Sequence, residues 1–155
     1  MLINELMKNQ LQNISWGDVE VLKLPHELDE IVSLGFLEVS GCFLSKKLFE
    51  YCKNNSLHNF EDEIAFECFV NSMHIDDYVS EKYLQYSIVF CNSIIKKWNE
   101  SHYGKLNVII SLDDETLLPT VKFHSKRKGV SWLDEDNLEL SIQPILVTTN
   151  ELKRS

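Results

Sequence analysis

His124 and the carboxylates of Asp113, Asp114 and Glu115 are the residues of this chain best suited to proton transfer. An imidazole titrates near neutrality, and a carboxylate beside it can orient it as a general base. In the run Thr120–Lys126 (TVKFHSK) the apolar residues alternate with polar ones, which predicts a strand with His124, Thr120, Lys122 and Lys126 on a polar, exposed face. A hairpin would bring the three acids towards that face, and a small acidic hydrolase using His124 is the enzymatic reading. A solvated histidine on an exposed strand explains the same pattern more simply. G-x-S-x-G, G-x-G-x-x-G and Walker patterns are all absent, so no catalytic residues are assigned.

Metal and thiol chemistry find no better footing. His26, His58, His74, His102 and His124 lack the spacings of zinc sites. Asp76 and Asp77 follow His74 closely, but the alternating acids of a calcium loop are missing, and a solvated loop accounts for them. No metal or cofactor is expected. Cys42, Cys52, Cys68 and Cys91 contain no C-x-x-C pair, and Cys68 and Cys91 fall in apolar helical stripes. They read as free buried thiols of a protein kept in a reducing cytoplasm.

Charge says more about partners. The net charge is −9, and residues 1–121 carry 19 acids against 9 bases, a net of −10. The whole chain holds two arginines, Arg127 and Arg154. Lys126, Arg127 and Lys128 are matched nearby by Asp134, Glu135 and Asp136, so their field cancels and no nucleic-acid stripe results. A basic protein is the partner that such a surface would steer. Three acidic groups could meet it. Asp113, Asp114 and Glu115 sit at a turn whose geometry does not require all three, and rank first. Asp76 and Asp77 come next. Glu61, Asp62 and Glu63 come last, because acids in the first turn of a helix already stabilise it by about 0.3–1 kcal/mol each.

The elements that must position these groups follow from periodicity. Leu2–Ile14 has helical spacing and Trp16-Gly17 would end it, with Val19–Leu24 a short strand. A helix is expected from Pro25 to Leu34 with Gly35 at its exit, Phe36–Leu44 is open between strand and loop, and Ser45 can cap a short helix. Asn59 can cap a central helix over Phe60–His74, and Ser80 another in which Leu84, Ile88, Cys91, Ile95 and Trp98 recur at steps of four and three. Beyond Gly104 the period becomes two. Leu106, Val108, Ile110 and Leu112 share one strand face, and Leu117, Pro119, Val121 and Phe123 share the next, with Pro119 favouring an edge or irregular position. Ser131 can cap a short helix that buries Trp132 on the sheet, before a last strand over Gln143–Thr149. The expectation is one domain over residues 1–155, α+β in class, with N-terminal helices packed on a C-terminal antiparallel sheet. No apolar run reaches the roughly 18 residues that span a bilayer, and MLINELMKNQ lacks the basic start of a signal peptide.

The run SLDDETLLPTVKFHSKRKGVSWLDED with the strand PILVTT, within residues 107–149, resembles the C-terminal part of immunity proteins from bacterial contact-dependent growth inhibition systems. The resemblance rests on Val121, Phe123, His124, Gly129, Ser131, Trp132 and Leu133. It implies a cytoplasmic, non-enzymatic protein that binds and blocks the C-terminal toxin domain of a surface-delivered effector, commonly a basic nuclease. Composition alone fits an adaptor for another basic protein equally well.

Overall fold

The computed structural model describes residues 1–101 and 103–154. In chain order the elements are β1 (Leu2–Ile3), α1 (Glu5–Gln12), α2 (Trp16–Val21), α3 (His26–Leu34), β2 (Phe36–Val39), β3 (Cys42–Ser45) and α4 (Lys46–Phe49). There follow α5 (Glu63–Val70), β4 (Ser72–His74), α6 (Tyr83–Asn99), β5 (Leu106–Leu112), β6 (Pro119–Ser125) and β7 (Ile145–Thr148). Short 3-10 turns cover Leu57–Asn59, Ile75–Asp77 and Glu135–Leu140. The fold is α+β. Five strands pair antiparallel in the order β1-β7-β5-β6-β4, and β2 and β3 form a separate hairpin.

Alternation places Leu106, Val108, Ile110, Leu112, Val121 and Phe123 on the sheet face that meets α6, as the sequence predicts. α6 presents Ile88, Cys91, Ile95 and Trp98 to that face, all at most 1% exposed. Trp98 closes the far end of this core. Its indole N–H donates to the Gly104 carbonyl at 2.9 Å, and the rings of Phe36 and Phe43 stand edge-on to it, centroids 5.0 and 5.2 Å away. The hairpin is thereby docked on the C-terminal turns of α6.

α5 supplies the polar fastening. The Glu67 carboxylate is wholly buried and accepts from the backbone N–H of Phe43 and of Ser125 and from both terminal nitrogens of Arg127, at 2.7–2.9 Å. One turn later the Asn71 amide accepts from Ser45 N–H and donates to the carbonyls of Phe43 and Phe123. Glu67 and Asn71 thus join β3 to β6 where no strand ladder does, which satisfies buried backbone groups that would otherwise cost about 1–3 kcal/mol each.

Several local expectations fail, each for a physical reason. Val19–Leu24 contains no strand, because the Ser15 hydroxyl accepts from Asp18 N–H and starts α2. Leu2 and Ile3 pair with Val147 and Leu146 as an edge strand, and α1 starts only after Asn4, whose side chain caps it. Asn59 caps nothing long. α5 begins at Glu63 with Asp62 as its cap, and its last predicted turn is instead β4, the opposite sheet edge. α6 starts after Lys82 in a left-handed conformation, rather than at Ser80. Pro119 begins β6, which is interior. As the first strand residue it breaks no ladder bond there. Ser131 caps no helix: its hydroxyl donates to the Leu133 carbonyl, and Trp132 is 43% exposed. Leu133 and Leu138 cover the second sheet face instead, packing on Ile109, Ile145 and Val147.

Removing the guanidinium from the Glu67 cluster leaves a buried carboxylate held by two amides. Arg127→Met is expected to lower stability by about 3 kcal/mol in chemical denaturation. A loss below about 1 kcal/mol would show the pair to be solvated and dispensable.

Candidate functional site

Strand register decides which of the predicted acids meet. β5 ends at Leu112 opposite Pro119, the first residue of β6, so the turn Asp113–Glu115 projects from that end of the sheet. β4 runs antiparallel to β6 and ends with His74 opposite Thr120, which delivers Asp76 and Asp77 to the same end, one strand away. On the other side β7 starts there, with Leu112 N–H donating to the Pro144 carbonyl. β1 also ends there: Asn4 N–H donates to the Ile145 carbonyl, and Glu5 and Leu6 follow. Five strands give this sheet end a breadth of roughly 19 Å.

Glu61, Asp62 and Glu63 are elsewhere. From Asn71 beside Phe123, α5 runs past Ser125 towards the Glu63 carbonyl beside Cys42, at the opposite end of β6. Asp62 caps the helix through Ala65 N–H at 2.8 Å, so its carboxylate has a local task. Glu61 precedes the helix and Glu63 is its first residue, so the dipole explanation reaches only part of the triplet. The structure therefore separates these three from the other five.

Within the turn the carboxylates are not equivalent. Asp113 Oδ1 accepts from the N–H of Thr116 at 2.8 Å and of Glu115 at 2.9 Å, and these bonds hold its carboxyl below the usual range. Asp113 builds the turn. The side chains of Asp114 and Glu115 are exposed and make no such bonds. Apolar side chains are exposed on the segments that meet at this sheet end: Leu117 is 41% exposed, Leu6 42%, Ile142 74% and Leu140 81%. Sequence reading missed these last two, because they sit in an irregular segment without periodicity. Asn4 fixes them in place, donating to the carbonyls of Leu138 and Gln143, while Glu139 accepts from Glu5 N–H. Apolar centres with a charged surround are the anatomy of a protein interface.

His124 does not lie on an exposed face. It is fully buried, because the segment after Gly129 folds back over the second face of the sheet. Its partner across the ladder is Asn107, which puts it roughly 20 Å from Asp113, at the wrong end of the hairpin for a proton relay with those acids. Nδ1 lies 2.9 Å from the Ser125 carbonyl and so carries the proton, while Nε2 has no hydrogen-bond partner among the described residues. Lys126 and Arg127 do line a common cleft of about 290 Å³ with Asp134, Glu135 and Asp136, yet the guanidinium is spent on Glu67.

Among the described residues no group of three or more His, Cys, Asp or Glu side chains is placed to hold a metal ion. His102 lies outside the described residues. The four cysteines are free, and burial pushes the thiol of Cys42 up to about 11 and that of Cys68 up to about 12, which leaves them unreactive near neutrality. No helix of the described residues is long and apolar enough to cross a membrane.

Burial also holds the His124 imidazole below the 6.5 of an exposed one, against the opposing pull of the Ser125 carbonyl and of Glu67. The unfolded chain takes up its proton first as the pH falls. His124 therefore contributes its full stability above about pH 6.5 and progressively less below, each pKa unit of difference being worth about 1.4 kcal/mol. Unfolding free energies of the native chain and of His124→Gln, compared at pH 7.5 and 5.5, are expected to fall more steeply for the native chain. Parallel declines would contradict this.

The chain is 31% identical over 156 residues, covering 94% of its own length and 96% of the relative's, to Uncharacterized protein PM0498 of Pasteurella multocida (strain Pm70). No solved structure matches it. Residues 2–155 match the Uncharacterized protein PM0498 family, and the chain belongs to that family.

Proposed function

We propose that this chain is an immunity protein, acting in the cytoplasm, that binds a basic toxin domain through the sheet end described above and blocks it without catalysis. The observation that carries the reading is that the segments bearing Asp76, Asp77, Asp114 and Glu115 and the exposed Leu140 and Ile142 all lie at one end of the sheet. The resemblance of residues 107–149 to immunity proteins of contact-dependent growth inhibition supplies the partner class, the C-terminal toxin domain of such an effector, with a nuclease the natural basic target. An adaptor for some other basic protein would use the same surface. Protection from a toxin separates the two.

Division of labour follows from the chemistry. Carboxylates at the rim accelerate encounter, and apolar side chains at the centre slow release. The cleft of about 510 Å³ at Asp76 and Asp77 is lined also by Glu81 and Tyr78, and its three carboxylates outnumber the one cation there, Lys23, which leaves it suited to a cationic side chain.

The test pairs the purified chain with the C-terminal toxin domain of a candidate surface-delivered effector from the same genome, measuring association and dissociation rates at two ionic strengths and growth protection in cells. Asp77→Asn with Asp114→Asn and Glu115→Gln is expected to slow association about tenfold at low salt, with the difference vanishing at high salt. Leu140→Ser with Ile142→Ser is expected to speed dissociation about tenfold while leaving stability unchanged, since both side chains are exposed. Unaltered rates in both variants would remove this surface from the interface, and absence of any complex or protection would overturn the function.

A further inference from the structure

A cavity of about 440 Å³ opens between α1, α2 and the residues after β7 and is lined by none of the acidic residues proposed to meet the toxin. Its floor is apolar: Leu11, Ile14 and Trp16 line it while packing against the main core, together with Leu152, which is 7% exposed. Its mouth carries Lys8, Lys153 and Arg154.

The wall on the Leu152 side is built, not incidental. The Asn92 side chain of α6 accepts from Leu152 N–H at 2.6 Å and donates to the Leu152 carbonyl at 2.9 Å, so one amide clamps both backbone groups. This clamp fixes the position from which Lys153 and Arg154 extend. In a chain of net charge −9, this apolar opening gathers three cations. Lys8 is paired with Glu5 at 2.9 Å, whereas Lys153 and Arg154 make no ion pair among the described residues.

We propose that this cavity binds a free, medium-chain acyl carboxylate. The chain lies on Leu11, Ile14, Trp16 and Leu152, and the carboxylate meets Lys153 and Arg154. Ligand cavities of this size are mostly apolar with a few polar groups that fix orientation, and two cations at the rim, without an ion pair among the described residues, select an anionic head. Neither the toxin-binding reading nor its surface is needed for this assignment.

Decanoate, kept below its micellar concentration, is the probe, with decanol as its uncharged counterpart. Calorimetric titration is expected to give saturable binding of one decanoate per chain, with a change in tryptophan emission. Trp16→Phe keeps the heat and loses most of the emission change. Lys153→Glu with Arg154→Glu, both at exposed positions, weakens decanoate about tenfold and leaves decanol unaffected. The absence of saturable decanoate binding would overturn the proposal. So would equal binding of decanol and decanoate that ignores the charge reversal, since the cavity would then be apolar without selecting an anion.

Discussion

One buried carboxylate holds the parts of this molecule in register. Glu67 is entirely withdrawn from water, and burying such a charge without compensation costs several kcal/mol. Four donors meet it: the amides of Phe43 and Ser125 and the two arms of the Arg127 guanidinium. They come from three parts of the chain. Phe43 is in the hairpin, Ser125 ends a central strand, and Arg127 opens the segment that folds over the second sheet face. Satisfying Glu67 therefore requires all three to be in place at once, and Asn71 repeats the arrangement one turn later with neutral groups.

The consequences reach both faces of the sheet. With the hairpin fixed, Phe36 and Phe43 close on Trp98 and complete the core beneath α6. With Arg127 fixed, the chain turns at Gly129, whose φ of 75° suits glycine, and Leu133 and Leu138 come down on Ile109 and Val147. That cover buries His124 and sends Leu140 and Ile142 to the sheet end, where β5 and β6 turn through Asp113. The proposed interface is thus a product of the same fastening that makes the core.

Much of this was legible in the sequence, and the rest was not for identifiable reasons. The alternation of Leu106, Val108, Ile110 and Leu112 and the four-three steps of Leu84 to Trp98 gave the central sheet and its helix, and with them the α+β class. The same alternation misplaced His124, because a period of two distinguishes two faces but cannot say that a later, irregular segment covers the second. β1 and β4 have two and three residues, too few for any period, and both were absorbed into neighbouring helices. Val19 and Val21 suggested a strand, yet the Ser15 cap prevails. Acidic residue types marked possible contacts, and only strand register shows that Asp76, Asp77 and Asp113–Glu115 share one end while Glu61–Glu63 lie at the other. Glu67 and Asn71 carried no signal at all. In a one-dimensional reading they are ordinary polar helix residues.

Amide hydrogen exchange in a Glu67→Gln variant tests the central role of this carboxylate most directly. Phe43 and Ser125 are 82 residues apart and belong to strands that are not paired with each other, yet both donate to the same side chain. The account predicts that their two amides lose protection together and by similar factors, while the amides of the β5–β7 ladder keep theirs. Loss at Phe43 alone, or undiminished protection at both, would show that the hairpin and the sheet are held together by something other than Glu67.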